Sequence, residues 1–111
     1  GASHRGLSPS QLAELTAPWL TDDGQSAFYR QIAEADQRFT DEVQDRYAEL
    51  GLPVHIIWGE QDGWIPVERA RELHRMIPGA TLEVLAGAGH LVHLDAPVGL
   101  AVGLHRWLAA Q

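Results

Sequence analysis

The spacing of hydrophobic residues along this chain changes at Gly51. Before that position, apolar residues recur at intervals of three and four, which is the period of amphipathic helices. Ser8 and Gln11 have the spacing of a capping box, and Pro9 stands at the first helical position, so a helix is expected to begin here. A second helix is predicted from one apolar face made by Phe28, Ile32, Ala35 and Phe39. The first half of the chain is therefore predicted to be a set of short helices.

The second half alternates between strand and helix patterns. The runs LPVHIIWG and ATLEVLA are short, rich in β-branched residues and bounded by Gly or Pro, which favours buried strands. A helix is expected to begin at Pro66 between them, and a closing helix follows with Asp95 as its expected N-cap. His105 falls on the apolar side of that last helix, so we expect it to be partly buried. This order predicts an α/β fold with a parallel, right-handed β-α-β-α unit.

Two parallel strands do not make a complete sheet. Parallel sheets are normally covered on both faces, and two strands with a few helices leave unpaired edges and uncovered apolar area. We therefore expect the first strands of the sheet to lie outside this sequence. The chain also begins with Gly1 rather than Met, which fits a start that was processed, cloned or cut.

Composition narrows the function classes. The net charge is −7, so nucleic acid and anionic membrane surfaces, which need a basic face on the protein, are not expected as partners. No apolar run approaches the roughly 20 residues of a membrane span, and no secretory leader is recognisable. The absence of cysteine excludes disulfides and zinc–thiolate sites and is compatible with a reducing compartment. A cytoplasmic location is therefore expected.

Each predicted strand is followed by a loop that carries a titratable residue. Asp62 follows the first strand, in WGEQDGWIP, and His90 follows the second, in AGAGHLVH. Because ligands bind outside the carboxyl ends of strands in open α/β sheets, both side chains are expected at the functional edge. A carboxylate that accepts a hydrogen bond from one ring nitrogen leaves the other nitrogen free to take a proton. The pair predicts the acid and base of a nucleophilic triad, although each residue taken singly also fits a turn or surface position.

From about Leu52 to Leu108 the chain resembles the C-terminal part of α/β-hydrolase fold enzymes. The resemblance is carried by LPVHIIWGEQDGWIP, by IPGATLEVLAGAGHLVHLDAP and by the closing amphipathic helix. It implies that Asp62 is the orienting acid of the family's triad. It likewise implies that His90, in the GAGH turn, is the general base.

The resemblance also divides the chain into two regions. Residues 1–50 look like the later helices of the family's cap and the return to the core. Residues 51–111 look like the last β-α-β-α part of the hydrolase core. The fold class expected is thus α/β, a helical cap remnant followed by the C-terminal end of an α/β-hydrolase fold.

The nucleophile of the triad is missing from this sequence. The family carries it on a G-x-S-x-G elbow or an aspartate variant, and the four serines present have no such setting. The chain alone is expected to lack triad catalysis. An N-terminal part of the same enzyme, as a separate chain, would complete an esterase, dehalogenase or carbon–carbon hydrolase that acts on a small molecule without a cofactor. Two alternatives stay open: an inactive, self-associating fragment, and a non-catalytic small-molecule receptor of the same fold.

Other side chains near the two loops have competing explanations. Trp64 and His93 could form the rim of a substrate pocket, or they could simply pack or face solvent. Glu60, two residues before Asp62, is the alternative acid if the Asp62 side chain points away from His90. His90, His93 and Asp95 together suggest a metal site, but zinc and iron sites usually need a further ligand and a fixed second shell. No metal is therefore expected.

Overall fold

The structure, a computed structural model, describes residues 3–111. The chain separates into a helical unit, Leu7–Asp45, and an α/β unit, which joins Arg46–Gln111 to the described residues up to Gly6. The domain boundary predicted after residue 50 stays a prediction. Within the described chain, no helix has the length and apolarity needed to cross a membrane.

The helical unit contains three helices and one 3₁₀ turn: α1 (Pro9–Thr16), the turn (Ala17–Leu20), α2 (Asp22–Ala33) and α3 (Arg38–Gln44). The start of α1 is as predicted. The Ser8 hydroxyl accepts a hydrogen bond from the Gln11 amide at 3.2 Å, and the Gln11 side chain accepts one from the Ser8 amide at 2.9 Å. No residue of these three helices is buried.

The second predicted helix is shorter than its apolar pattern indicated. α2 ends at Ala33, so Ala35 and Phe39 do not continue its face, and Phe39 lies in α3 instead. At the break, Asp36 Oδ1 accepts a hydrogen bond from the Arg38 amide at 2.9 Å. Short polar side chains compete in this way with the hydrogen-bond ladder of a helix. Here that competition overrides the apolar periodicity.

The α/β unit contains two strands and three helices, with a 3₁₀ turn before them: the turn (Tyr47–Glu49), β1 (His55–Gly59), α4 (Val67–Met76), β2 (Thr81–Leu85), α5 (Val92–Asp95) and α6 (Pro97–Ala109). β1 and β2 pair in parallel, with His55 opposite Thr81 and Gly59 opposite Leu85. The predicted parallel β-α-β-α unit is confirmed. Because the strands run in the same direction, the loops after Gly59 and Leu85 leave the sheet at the same edge.

A small core lies between the sheet and α4. Its buried members are Ile56, Ala70, Ile77 and Ala80. Several half-buried side chains pack against them: Tyr47, Val54, Trp58, Leu73 and Leu82. Other large apolar residues lie outside this core, such as Leu52 at 68% exposure and Val98 at 75%. The core therefore accounts for only part of the apolar side chains of the unit.

The start of α6 differs from its prediction. The helix begins at Pro97 with Ala96 as its N-cap, whereas Asp95 is the last residue of α5 and is buried. The predicted N-cap role of Asp95 is wrong. The reason is that its carboxylate faces the interior, where amides of other segments bind it.

The packed face of α6 also differs from its prediction. His105 is exposed rather than partly buried. The helix approaches the sheet through Gly103, where a Cβ atom would lie 2.6 Å from the carboxylate of Glu83. Trp107 stacks on His55 with ring centroids 5.6 Å apart. The side of α6 that carries Gly103 and Trp107, not the side of His105, therefore faces the strands.

Candidate active site

The loops that follow β1 and β2 are joined through their backbones. The Glu60 amide donates to the Leu85 carbonyl at 3.0 Å, and the Gln61 amide donates to the Ala88 carbonyl at 2.8 Å. These bonds extend the connection between the strands into the loops. They fix the distance between Asp62, which follows Gln61, and the turn after Ala88 that carries His90.

Gly59 makes this close approach of the two backbones possible. A Cβ atom at Gly59 would lie 2.2 Å from the carbonyl oxygen of Gly89 and 2.5 Å from that of Ala88. Neither backbone oxygen can move away as a flexible side chain would. Gly87 contributes in another way, because its φ of +70° is a left-handed conformation that favours glycine.

Asp62 is fixed by its own loop. Its Oδ1 accepts hydrogen bonds from the amides of Trp64 and Ile65, both at 2.9 Å, and the Trp58 indole donates to the Ile65 carbonyl at 3.1 Å. The Asp62 side chain is only 3% exposed. Burial by itself raises the pKa of Asp62, but hydrogen bonds from Ile65, His90 and Trp64 outweigh it and hold the pKa below its ordinary value. The carboxylate is therefore ionised at neutral pH.

The second oxygen of Asp62 is paired with His90. Asp62 Oδ2 lies 2.9 Å from His90 Nδ1. An ionised carboxylate can only accept, so Nδ1 carries the proton and Nε2 is the ring nitrogen that can take another. The imidazole is 31% exposed and lines, with Asp62, Gly59 and Val92, a cavity of about 150 Å³. The structure thus brings together the two side chains that the sequence predicts as acid and base.

The other residues singled out from the sequence lie close by but differ in position. The ring centroid of Trp64 is 5.0 Å from that of His90, and Trp64 is 65% exposed. His93 is exposed, and neither it nor Trp64 lines the cavity. Their places at a pocket rim stay predictions. Glu60 is exposed and joins the site only through its amide, so it does not replace Asp62, which faces the histidine.

Asp95 has a position that sequence reasoning missed. It is 1% exposed, and its Oδ2 accepts hydrogen bonds from the amides of Gly89 and His4, both at 2.7 Å. Its Oδ1 accepts from the Arg5 amide at 3.3 Å and from the Ser3 hydroxyl. Burial raises the pKa of Asp95, but these four bonds outweigh it and hold the pKa well below its ordinary value. No local pattern reveals such partners, because three of them lie at the far end of the chain.

The metal alternative is not supported by this geometry. Both oxygens of Asp95 accept from N–H and O–H donors, and Nδ1 of His90 is engaged with Asp62. Across residues 3–111, no group of three or more histidine and carboxylate side chains is placed to hold a metal ion.

The four serines make contacts elsewhere in the structure or are exposed. Ser3 donates to Asp95, and Ser8 caps α1 and contacts Ser10 at 3.0 Å. Ser26 lies within α2 and is exposed. In the described part of the chain, no serine hydroxyl is hydrogen-bonded to His90. His90 therefore lines its cavity without a serine partner from this part of the chain.

The chain is similar to known proteins in both fold and sequence. The model of the alpha/beta hydrolase family matches residues 2–102. An α/β-hydrolase fold protein from Burkholderia ambifaria superimposes with a TM-score of 0.86 at 44% identity, over 93% of this chain and 38% of that one. A thermophilic esterase from Thermogutta terrifontis gives a TM-score of 0.59 at 26% identity, over 61% of this chain and 25% of that one. A monoacylglycerol lipase of Xenopus laevis, abhd6-A, is 33% identical over 72 residues, which are 63% of this chain and 21% of that protein.

These similarities also show how much of each relative's length the chain covers. It spans about a fifth of the length of the lipase and less than two fifths of the Burkholderia protein. What it matches is the C-terminal part of the solved folds. Since the family model matches most of its length, the chain belongs to the α/β hydrolase family.

Proposed function

We propose that His90 is the general base and Asp62 the orienting acid of a hydrolytic triad. The nucleophile would come from the N-terminal part of an α/β-hydrolase fold. The observation that carries this proposal is the 2.9 Å contact between Asp62 Oδ2 and His90 Nδ1 beside a cavity. The Asp62 carboxylate is ionised and fixed by two amides, so its remaining oxygen is set to orient one histidine.

In this role, His90 Nε2 takes the proton of the nucleophile as that group attacks the substrate. Asp62 stabilises the imidazolium that forms and keeps the ring in one tautomer. His90 then returns the proton to the leaving group. The two amides on Asp62 Oδ1 matter because they prevent the carboxylate from turning away during these steps.

The substrate class that we propose is a carboxylic ester of a small molecule. It is favoured over carbon–halogen and carbon–carbon bonds because two similar proteins are a lipase and an esterase by name. Ester hydrolysis by a triad needs no metal or nucleotide. The partner we propose is an N-terminal polypeptide that carries the nucleophile elbow.

A chimera tests the proposal. The N-terminal part of the Burkholderia ambifaria protein, which this chain does not cover, is fused to residues 1–111, and hydrolysis of p-nitrophenyl esters of short acids is measured. We expect turnover in the chimera and none in the chain alone. His90→Ala should lower kcat by roughly 10⁴-fold or more, and Asp62→Asn by roughly 10²- to 10⁴-fold. His74→Ala, an exposed histidine of α4, is the matched control and should leave kcat unchanged.

Several outcomes would contradict the proposal. A folded, active chimera whose activity survives His90→Ala would exclude this histidine as the base. A folded chimera that binds esters without hydrolysing them would favour a receptor. If the chain forms only stable multimers of itself and never joins an N-terminal part, the self-associating fragment would be the better description.

A further inference from the structure

We propose that Asp95 is a positioning residue for His90. Its buried carboxylate binds the Gly89 amide, and so fixes the backbone directly before the histidine to the segment Ser3–Arg5. This inference rests on the proposed role of His90 as general base.

The first argument is the geometry of the turn. Asp95 Oδ2 accepts from the Gly89 amide at 2.7 Å, which closes a ring of seven residues around His90. Within this ring, the amides of Leu94 and Asp95 donate to the Leu91 carbonyl at 2.9 and 3.0 Å. His90 therefore lies in a turn whose first and last residues, Gly89 and Asp95, are joined by a side-chain hydrogen bond.

The second argument is that the turn is held from two sides. On one side, the Gln61 amide donates to the Ala88 carbonyl at 2.8 Å and ties the turn to the loop of Asp62. On the other side, Asp95 binds Gly89, the next residue. Holding two consecutive residues from opposite sides fixes both the position and the direction of the chain as it enters His90. A shift of about 1 Å in a catalytic group is enough to reduce turnover strongly.

The third argument is the donor set of Asp95. All four donors are N–H or O–H groups, and one of the two carboxylate oxygens bonds both the Gly89 and the His4 amides. A neutral amide side chain offers one accepting oxygen only, so it would set its NH₂ group against two of these donors. The four donors around this side chain therefore require a carboxylate. Packing alone would not explain that requirement.

The test uses two variants of the 111-residue chain and two readouts by nuclear magnetic resonance. Asp95→Asn should speed hydrogen exchange of the Gly89 amide at least about tenfold relative to the amides of β1 and β2, since its acceptor is weakened. The signal of the His90 Nδ1 proton should weaken or vanish as its bond to Asp62 loosens. Ser3→Ala removes a donor of Asp95 but not the Gly89 bond, so both readouts should stay within about twofold of the wild type.

The comparison with strand amides separates positioning from stability. If Asp95→Asn speeds all amides of the unit equally, or leaves the His90 proton unchanged, the positioning role is wrong. If Asp95→Asn fails to fold, hydrogen exchange of the Gly89 amide is measured in the wild-type chain instead. Exchange at the rate of a solvated amide would overturn the proposal, and strong protection would support it.

A kinetic test separates this inference from the proposed function. In the esterase chimera, Asp95→Asn should lower kcat about tenfold or more with little change in KM, because the base is displaced while binding is kept. A kcat that stays within twofold in a folded variant overturns the inference. An inactive wild-type chimera would instead contradict the proposed function. The role of Asp95 would still be tested by exchange of the Gly89 amide and by the signal of the His90 Nδ1 proton.

Discussion

At the scale of single residues, two buried carboxylates organise the site in different ways. Asp62 gives one oxygen to backbone amides and keeps the other for His90. Asp95 gives both oxygens to donors outside the Asp62–His90 pair. In both, hydrogen bonds to the charged form outweigh the cost of burial, and the pKa lies below its ordinary value. The first carboxylate is arranged to orient a ring, and the second to hold a backbone.

The pKa of Asp62 gives a prediction at this scale. His90→Ala removes one of the contacts that lower that pKa, so the titration midpoint of the Asp62 carboxyl should rise from its lowered wild-type position. Because the folded-state pKa is depressed, Asp62 stabilises the fold above the pKa of the unfolded chain, and this contribution is lost as the pH falls through the folded pKa. Carbon-13 resonance of the carboxyl measures the midpoint. His93→Ala is the control, and an unchanged Asp62 midpoint in His90→Ala would contradict the prediction.

At the scale of elements, the site depends on how closely two loops meet. The parallel strands bring the loops to one edge, but the bonds of Glu60 and Gln61 to the second loop determine their separation. That contact requires a residue without a side chain at the end of β1. The order of elements explains which edge carries the site, and Gly59 explains why the two loops can touch there.

Gly59→Ala tests this dependence. The added Cβ would lie 2.2 Å from the Gly89 carbonyl oxygen, so the loops must separate. We expect the free energy of unfolding to fall by about 1–3 kcal/mol, the usual cost of overpacking, and the His90–Asp62 bond to weaken. Gly63→Ala, in the same loop, is the matched control because nothing lies within 4 Å of its Cβ position. Urea unfolding measures the first effect, and equal values for the two variants would contradict the prediction.

At the scale of the whole molecule, the two units differ in how much they bury. The helical unit has three short helices without a buried residue, and its aromatic contacts, such as Trp19 with Phe28 at 5.8 Å, lie among exposed side chains. The α/β unit has a buried cluster around Ile56 and Ala70. Short helices in water depend on packing for most of their stability. The stability of the chain should therefore be uneven along its length.

Hydrogen exchange of the intact chain checks this prediction. Amides in α1, α2 and α3 should exchange at least roughly tenfold faster than amides in β1 and β2, because fewer apolar contacts oppose their opening. The comparison is internal to one sample, so pH and temperature act on both units alike. Equal protection in both units would contradict the prediction and would mean that something else, such as an N-terminal part or a second copy, covers the helices.

The sequence by itself determined the order of β1, α4, β2 and α6, the parallel strand pair, the capping box of α1 and the two loops that carry Asp62 and His90. These features depend on the local spacing of apolar residues, on β-branched runs and on Gly and Pro at the ends of elements. All of these signals come from residues that are close together in the sequence. The family resemblance, drawn from the same two loops, is shown by the family match. The roles of Asp62 and His90 stay proposals.

Only the tertiary structure decided the role of Asp95 and the packed face of α6. A carboxylate five residues after a histidine looks like a helix cap until residues 3–5 are brought beside it. The side of α6 that faces the strands depends on where Glu83 and His55 lie, not on the hydropathy of α6 itself. Each of these features is set by residues far away in the sequence, and the free energy of a contact depends on which groups the fold places together.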